Sequence, residues 1–372
     1  MRIVYFTHSL ISCWNHGNAH FLRGVLRELA CAGHAIRVFE PENSWSRMNL
    51  LRAGGGAIVE EFRQLFPELT AEFYGEEPDL DAMLHDAQLV IVHEWTAPAL
   101  VAAIGRYRLR HGFTLLFHDT HHRAASDPEA IRAFDLSCYD GVLAFGESLV
   151  DIYRRWGWGS RAYAWHEAAD TRLFRPFLTD EPPSGGLVWI GNWGDDERSE
   201  ELAEFLLRPA KASSMTFDVY GVRYPDAARG AIAQHGGRYR GWLANPRVPS
   251  VFARHRMTVH VPRRFYARVL PGIPTIRVFE ALACGIPLVS APWEDCEALF
   301  RPGTDYLIAR TEPEMARHLR DLAHDAQLRT ALAASGAHRI AERHSCAHRA
   351  RELLAIVEQF NQVERTERVG AL

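Results

Sequence analysis

Residues 271–292 read PGIPTIRVFEALACGIPLVSAP, and this stretch decides how the second half of the chain folds. Pro274 suits the first position of a helix, where its missing N–H costs nothing. The turn that follows exposes unpaired backbone N–H groups beside Thr275. Arg277 adds a planar cation suited to phosphate. Glu280 lies about one and a half turns beyond Thr275, within reach of a ligand lying across the helix start. Gly285 closes the helix, and an apolar run over 286–292 reads as a buried strand. The unit reads as a seat for a diphosphate, with a carboxylate placed for neighbouring hydroxyls.

The same alternation extends outward in both directions. Strand-like runs fall at 2–6, 35–40, 87–94, 113–119, 141–146 and 161–167, and again at 187–192, 215–221, 257–262, 286–292 and 305–310. Stretches with apolar residues at helical spacing separate them, such as AHFLRGVLRELACAG at 19–33. Such alternation predicts parallel, doubly wound α/β sheets. The segment TDEPPSGG at 179–186 interrupts it, with the Pro, Gly and acidic residues of a linker. The expected architecture is therefore two Rossmann-like domains facing a cleft, at 1–178 and 187–345. A last amphipathic helix and tail at 346–372 is expected to pack back on domain one. Ligands of open parallel sheets bind beyond the carboxyl ends of the strands, so polar residues just after strands are the candidates.

Bulk properties narrow the function. With 372 residues, 47% hydrophobic and 24% charged, the chain has material for two cores. A net charge of −4 gives no nucleic-acid signature. Six scattered cysteines without a CxxC pair argue for reduced thiols rather than a zinc ribbon or a disulfide scaffold. RIVYF follows Met1 directly, so no signal peptide is expected, and no apolar run has membrane-spanning length. A cytoplasmic location is expected, compatible with peripheral contact at the inner face of the membrane.

In domain one, the loop THSLISCWNHGNAH at 7–20 follows the first strand and enters a helix. His8, Asn15, Gly17 and Asn18 in it are candidates for lining the cleft, against the plain reading of a long capped loop. The loop lacks GxGxxG, so an NAD oxidoreductase is not expected. GGG at 54–56 has no strand before it and no Lys-Ser/Thr after it, and reads as a flexible connection. His93, Glu94 and Trp95 end another strand. The stretch TLLFHDTHHRAAS at 114–126 places His118, Asp119, His121 and His122 within five residues. A metal site, an acid–base cluster and a capped strand end all fit that spacing. Neighbouring strands would bring His93 toward His118 and Asp119, which makes these three the catalytic candidates. Glu94, Trp95 and His121 join the acceptor side. Trp14, Trp95, Trp193 and Trp242 fall near strand ends, where stacking on sugar competes with ordinary packing.

RVFEALACGIPLVSAP resembles the donor-binding signature of GT-B glycosyltransferases. Three further segments resemble the family in order: GNAHFLRGVLRELACAGHAIRVFEP, GESLVDIYRRWG followed by WHEAADTRLFRP, and VWIGNWGDDERSEELAEFL. The details are most similar to the spore-maturation CgeB-like branch near family four. The resemblance implies transfer of a sugar from a nucleoside-diphosphate sugar to a hydroxyl acceptor, without metal or other cofactor. Glu280 would then bond the ribose hydroxyls, and Thr275, Ile276 and Arg277 would hold the diphosphate. Asn192, Arg198 and Arg263 would add polar or positive contacts, and Gly241, Trp242 and Leu243 would meet the base. Many retaining relatives carry a second glutamate before the first, and here that position is Gly272. Retention is expected over inversion, and in an inverting reaction His118, Asp119 or His93 would take the acceptor proton. A nucleotide-sugar 2-epimerase and a non-catalytic sugar-nucleotide-binding protein are the alternatives.

Overall fold

The computed structural model of the protein describes residues 1–177, 183–194 and 197–370. The chain divides into two compact units, one built from Met1–His166 with Cys346–Leu372 and the other from Glu167–Ser345. In the first, β1 (Arg2–Phe6), β2 (Ala35–Pro41), β3 (Ala71–Tyr74), β4 (Leu89–His93), β5 (Thr114–Asp119), β6 (Gly141–Ala144) and β7 (Ala162–Ala164) form one parallel sheet. Its order is β3-β2-β1-β4-β5-β6-β7, so the winding reverses between β1 and β4. The central strands are buried on both faces, which is why they read as unbroken apolar runs. Helix α1 (Ala19–Cys31) leaves the loop after β1.

The second unit repeats the plan with β8 (Gly185–Ile190), β9 (Phe217–Tyr220), β10 (Gly237–Gly241), β11 (His255–His260), β12 (Leu288–Ser290) and β13 (Leu307–Ile308). They are parallel in the order β10-β9-β8-β11-β12-β13, reversing between β8 and β11. Leu187, Val219, Met257, Val259 and Val289 form the middle of its core with Leu206 and Leu319 from the covering helices. Helix α2 (Ile276–Ala283) lies between β11 and β12, and α3 (Cys346–Gly370) returns to the first unit, where it packs on α1.

Several expected boundaries move. The first unit ends at His166, because the next residues join the second unit: Ala169 bridges Ser345 and donates its N–H to the His344 carbonyl at 2.9 Å. Of the linker read at 179–186, residues 179–182 lie outside the described residues, and Gly185 and Gly186 already belong to β8. Pro274 precedes the N-cap Thr275 rather than opening α2. The glycines at 54–56 are not a loop. They lie inside the helical run Trp45–Leu65, which breaks at Gly55 with φ 63° and ψ −159°. Two strands escaped the sequence reading, β3 and β10. Both are sheet edges, half exposed and polar on one face.

At the carboxyl ends of β8 and β9 the backbones come very close. Gly221 has φ 153°, and a Cβ there would stand 2.0 Å from the Gly191 carbonyl oxygen. Gly221→Ala must therefore move backbone, not a side chain, and is expected to destabilise the protein by at least about 3 kcal/mol in urea unfolding.

Candidate functional site

Both sheets reverse their winding where the sequence places polar residues, and each reversal is considered within its own unit. In the first unit the loop after β1 is held from below. Arg23, 2% exposed on α1, donates to the carbonyls of Leu10 and Ile11 and lies over the stacked rings of Phe62 and Phe66. The Glu40 carboxylate accepts the Leu10 N–H at 2.6 Å. These fix His8 and His16 at the switch point. His16 is buried on the Ser9 carbonyl, and its ring centroid lies 5.3 Å from that of His8. Asn15 adopts φ 50°, Gly17 is exposed and Asn18 is buried at the start of α1.

Register places His93 beside His118. Both are fully buried. His93 Nδ1 accepts the Trp95 N–H at 3.4 Å, so Nε2 donates to Thr120 Oγ1 at 3.0 Å. Burial first, then the neighbouring His118, His16, His8 and Arg123, holds its pKa well below the usual imidazole value. His118 Nδ1 meets the Tyr5 hydroxyl, while its Nε2, beside the rings of Phe21 and Trp165, has no partner among the described residues. Burial lowers His118 to about 3. Asp119 points to the other face of the sheet, as the two-residue period of a strand requires. It accepts from Tyr153 Oη at 2.8 Å and from the His121 N–H at 3.1 Å, and burial raises it to about 6. The three catalytic candidates are thus enclosed, each spent at least once on a protein partner.

Glu94 is also enclosed. It accepts from Thr120 and binds Arg123 through Oε2 at 2.8 Å, while burial and then Asp119 push its pKa up and Arg123 opposes them. The Arg123 guanidinium lies 4.0 Å from the ring centre of Trp95, which is 45% exposed. His121 is half buried with its ring 5.5 Å from Trp95, and His122 bonds Ser126 Oγ. Among the described residues no three His, Cys, Asp or Glu side chains are grouped to hold a metal ion.

In the second unit the residues converge on the start of α2. Glu280 is fully buried, with Oε1 accepting from Asn245 Nδ2 at 2.7 Å and Oε2 paired with Arg277. Thr275 is the N-cap, yet its hydroxyl makes no cap bond to the helix. It is engaged instead by His260 Nε2 at 3.1 Å. Ser290 Oγ donates to the Ala291 carbonyl, so it accepts from His260 Nδ1–H, and the Thr275 hydroxyl donates to Nε2. Burial first, then Arg198 and Arg277, lowers His260 to about 3. Arg198 is 8% exposed, donates to the carbonyls of Val261 and Asn192, and has no partner for Nε among the described residues. Burial and neighbouring Arg263 lower it to about 10. Arg263 pairs with Glu197 at 2.7 Å, and Asn192 Oδ1 accepts the Val222 N–H. Gly241 is the last residue of β10, with φ 78°, so only Trp242 and Leu243 of the expected base loop lie beyond the strand. Gly272 has φ 86°, and a Cβ there would stand 2.9 Å from Glu297 Oε1. Asn245, His260 and Glu297 are absent from the sequence-derived site. His260 had a signal, since it ends an apolar strand run.

Residues 198–355 match the family model described as glycosyl transferase-like. The match covers most of the second unit and runs on into the first turns of α3. No curated protein sequence matches the chain significantly. Solved structures align over nearly the whole chain. Anabaena HepE in complex with UDP-glucose has a TM-score of 0.68 at 14% identity, covering 97% of this chain and 100% of that one. TarM has a TM-score of 0.70 at 9% identity, covering 96% and 98%. Sucrose-phosphate synthase from Thermosynechococcus elongatus has a TM-score of 0.61 at 13% identity, covering 100% of both. The fold is that of the GT-B glycosyltransferases.

Buried neutral histidines tie stability to pH. An unfolded imidazole protonates near 6.5, whereas His118 and His260 do so only near 3 when folded. Between these values the unfolded state binds more protons, so each group removes about 1.4 kcal/mol of stability per pH unit as pH falls below 6.5. Replacing His118 by Gln keeps a partner for Tyr5 and removes the titration. Urea midpoints of His118→Gln are expected to fall less steeply than wild type between pH 6.5 and pH 5, measured on the same samples.

Proposed function

We propose that the protein is a glycosyltransferase that moves a sugar from a nucleoside-diphosphate sugar to a hydroxyl acceptor. The observation that carries this reading is the start of α2. Its first N–H groups lie beside a Thr275 hydroxyl turned to His260, and two cations, the buried Arg198 and the partly exposed Arg277, stand around them. A helix start with two guanidinium groups attracts a diphosphate and stabilises the charge that grows on it as the sugar leaves. The step then draws its cationic help from side chains and needs no metal ion. The fully enclosed carboxylate of Glu280, held by Asn245, is our candidate for the ribose hydroxyls. Glu297, beside Gly272, is our candidate for contacts to the donor sugar that a glutamate at 272 would otherwise make. HepE, solved with UDP-glucose, supports a nucleotide-sugar donor.

We take the transfer to proceed with retention. The enclosure of His93, His118 and Asp119 favours a leaving diphosphate oxygen as the acceptor of the hydroxyl proton. We also assign the chain to the CgeB-like branch, on the details of its sequence motifs, and to a reducing compartment, on its six scattered cysteines without a CxxC pair. No described helix is long and apolar enough to cross a membrane.

A thermal-shift screen of UDP, GDP, dTDP and ADP with their sugars is expected to select one nucleoside diphosphate. Glu280→Gln is expected to weaken its binding by about 1–3 kcal/mol in calorimetry, the usual loss for a charged hydrogen bond. Unchanged affinity would remove Glu280 from the donor site. Turnover of the donor sugar without any acceptor, as an isomerase would give, would overturn the transfer.

A further inference from the structure

Trp95 is an exposed indole on an unusually rigid mount. Its backbone N–H is held by His93, and the Arg123 guanidinium covers its ring at 4.0 Å. Arg123 is in turn fixed by three hydrogen bonds to Glu94, two to the carboxylate and one to the carbonyl. Burying a carboxylate is costly, and here Glu94 clamps the cation that supports an aromatic ring facing solvent. His8 and His121 stand at 6.4 Å and 5.5 Å from the indole, both half buried. Among the described residues the ring nitrogens of His8 have no hydrogen-bond partner. All this lies at the reversal of the first sheet, where such folds receive ligands.

The chemistry of the spot selects its occupant. Arg123 already gives three hydrogen bonds to Glu94, which leaves it poorly placed to take an anion. Two imidazoles border the indole, which favours a polar ligand over a lipid tail. A flat apolar face with neutral donors and acceptors at its edge fits a pyranose, which offers C–H groups on one face and hydroxyls around its rim. We propose that Trp95 is the stacking platform for a saccharide ring whose hydroxyls bond His8, so that the acceptor is itself a carbohydrate. The identification as acceptor rests on the proposed glycosyl transfer; the saccharide site does not.

The test is calorimetric titration of the full chain with methyl glycosides of glucose, galactose, mannose and N-acetylglucosamine and with their disaccharides. At least one is expected to bind, with Trp95→Ala weakening it tenfold or more, Trp95→Phe keeping most of the affinity, and His8→Ala weakening it severalfold. Binding of the nucleoside diphosphate is expected to stay unchanged in all three variants. A saccharide bound equally well by Trp95→Ala overturns the site, as does a wild type that binds the diphosphate but none of the saccharides. A wild type that binds saccharide through Trp95 but none of the four diphosphates upholds the site and sinks the donor reading instead.

Discussion

Parallel pairing is the constraint on which the rest depends. Every strand pair in both sheets runs parallel, so each sheet gathers all its carboxyl ends along one edge. The chain must leave every strand there through a loop, and these loops carry the polar residues. Buried polar groups are tolerable only when their bonds are made. The first unit meets this with Arg23 and Glu40, which hold the backbone of the loop after β1. The second meets it with His260, which ties the end of β11 to the end of β12 and to the start of α2. In each unit one or two buried polar side chains set the shape of the edge.

The buried ion pairs follow from the same demand. Glu94 with Arg123 and Glu280 with Arg277 each place a fully enclosed carboxylate against a half-exposed guanidinium. Such pairs add little net stability over apolar packing, but removing one partner costs several kcal/mol. What they secure is position. Arg123 cannot swing away from Trp95, and Arg277 cannot leave the first turn of α2. Asn245 completes the second arrangement by occupying the other oxygen of Glu280. The charged groups nearest each edge are therefore held still before any ligand arrives.

Much of this was legible in the sequence, and the remainder failed for identifiable reasons. The apolar runs announced the central strands because those strands are buried on both faces. The edge strands β3 and β10 lack that signature, and Arg238 and Arg240 in GRYRG look like loop residues. The helix at 276–283 was visible from its spacing and its glycine stop, while its first position was placed two residues early, at Pro274 rather than Ile276. The histidine-rich stretch misled most. His118 and Asp119 are adjacent in sequence but face opposite sides of β5, so one apparent cluster became two buried ones. Asn245 was invisible because its partner lies thirty-five residues away, and only the fold brings an amide to Glu280.

The chain's last helix belongs to its first unit. In topological terms the second unit is an insertion within the first, entered after His166 and left before Cys346. A ribosome therefore completes the inserted unit while the outer one still lacks α3. Cys346, Leu353 and Val357, all buried in the finished protein, are made only after every residue of the inserted unit. The face of α1 that α3 covers waits until then, so the outer unit is begun before the inserted one and completed after it.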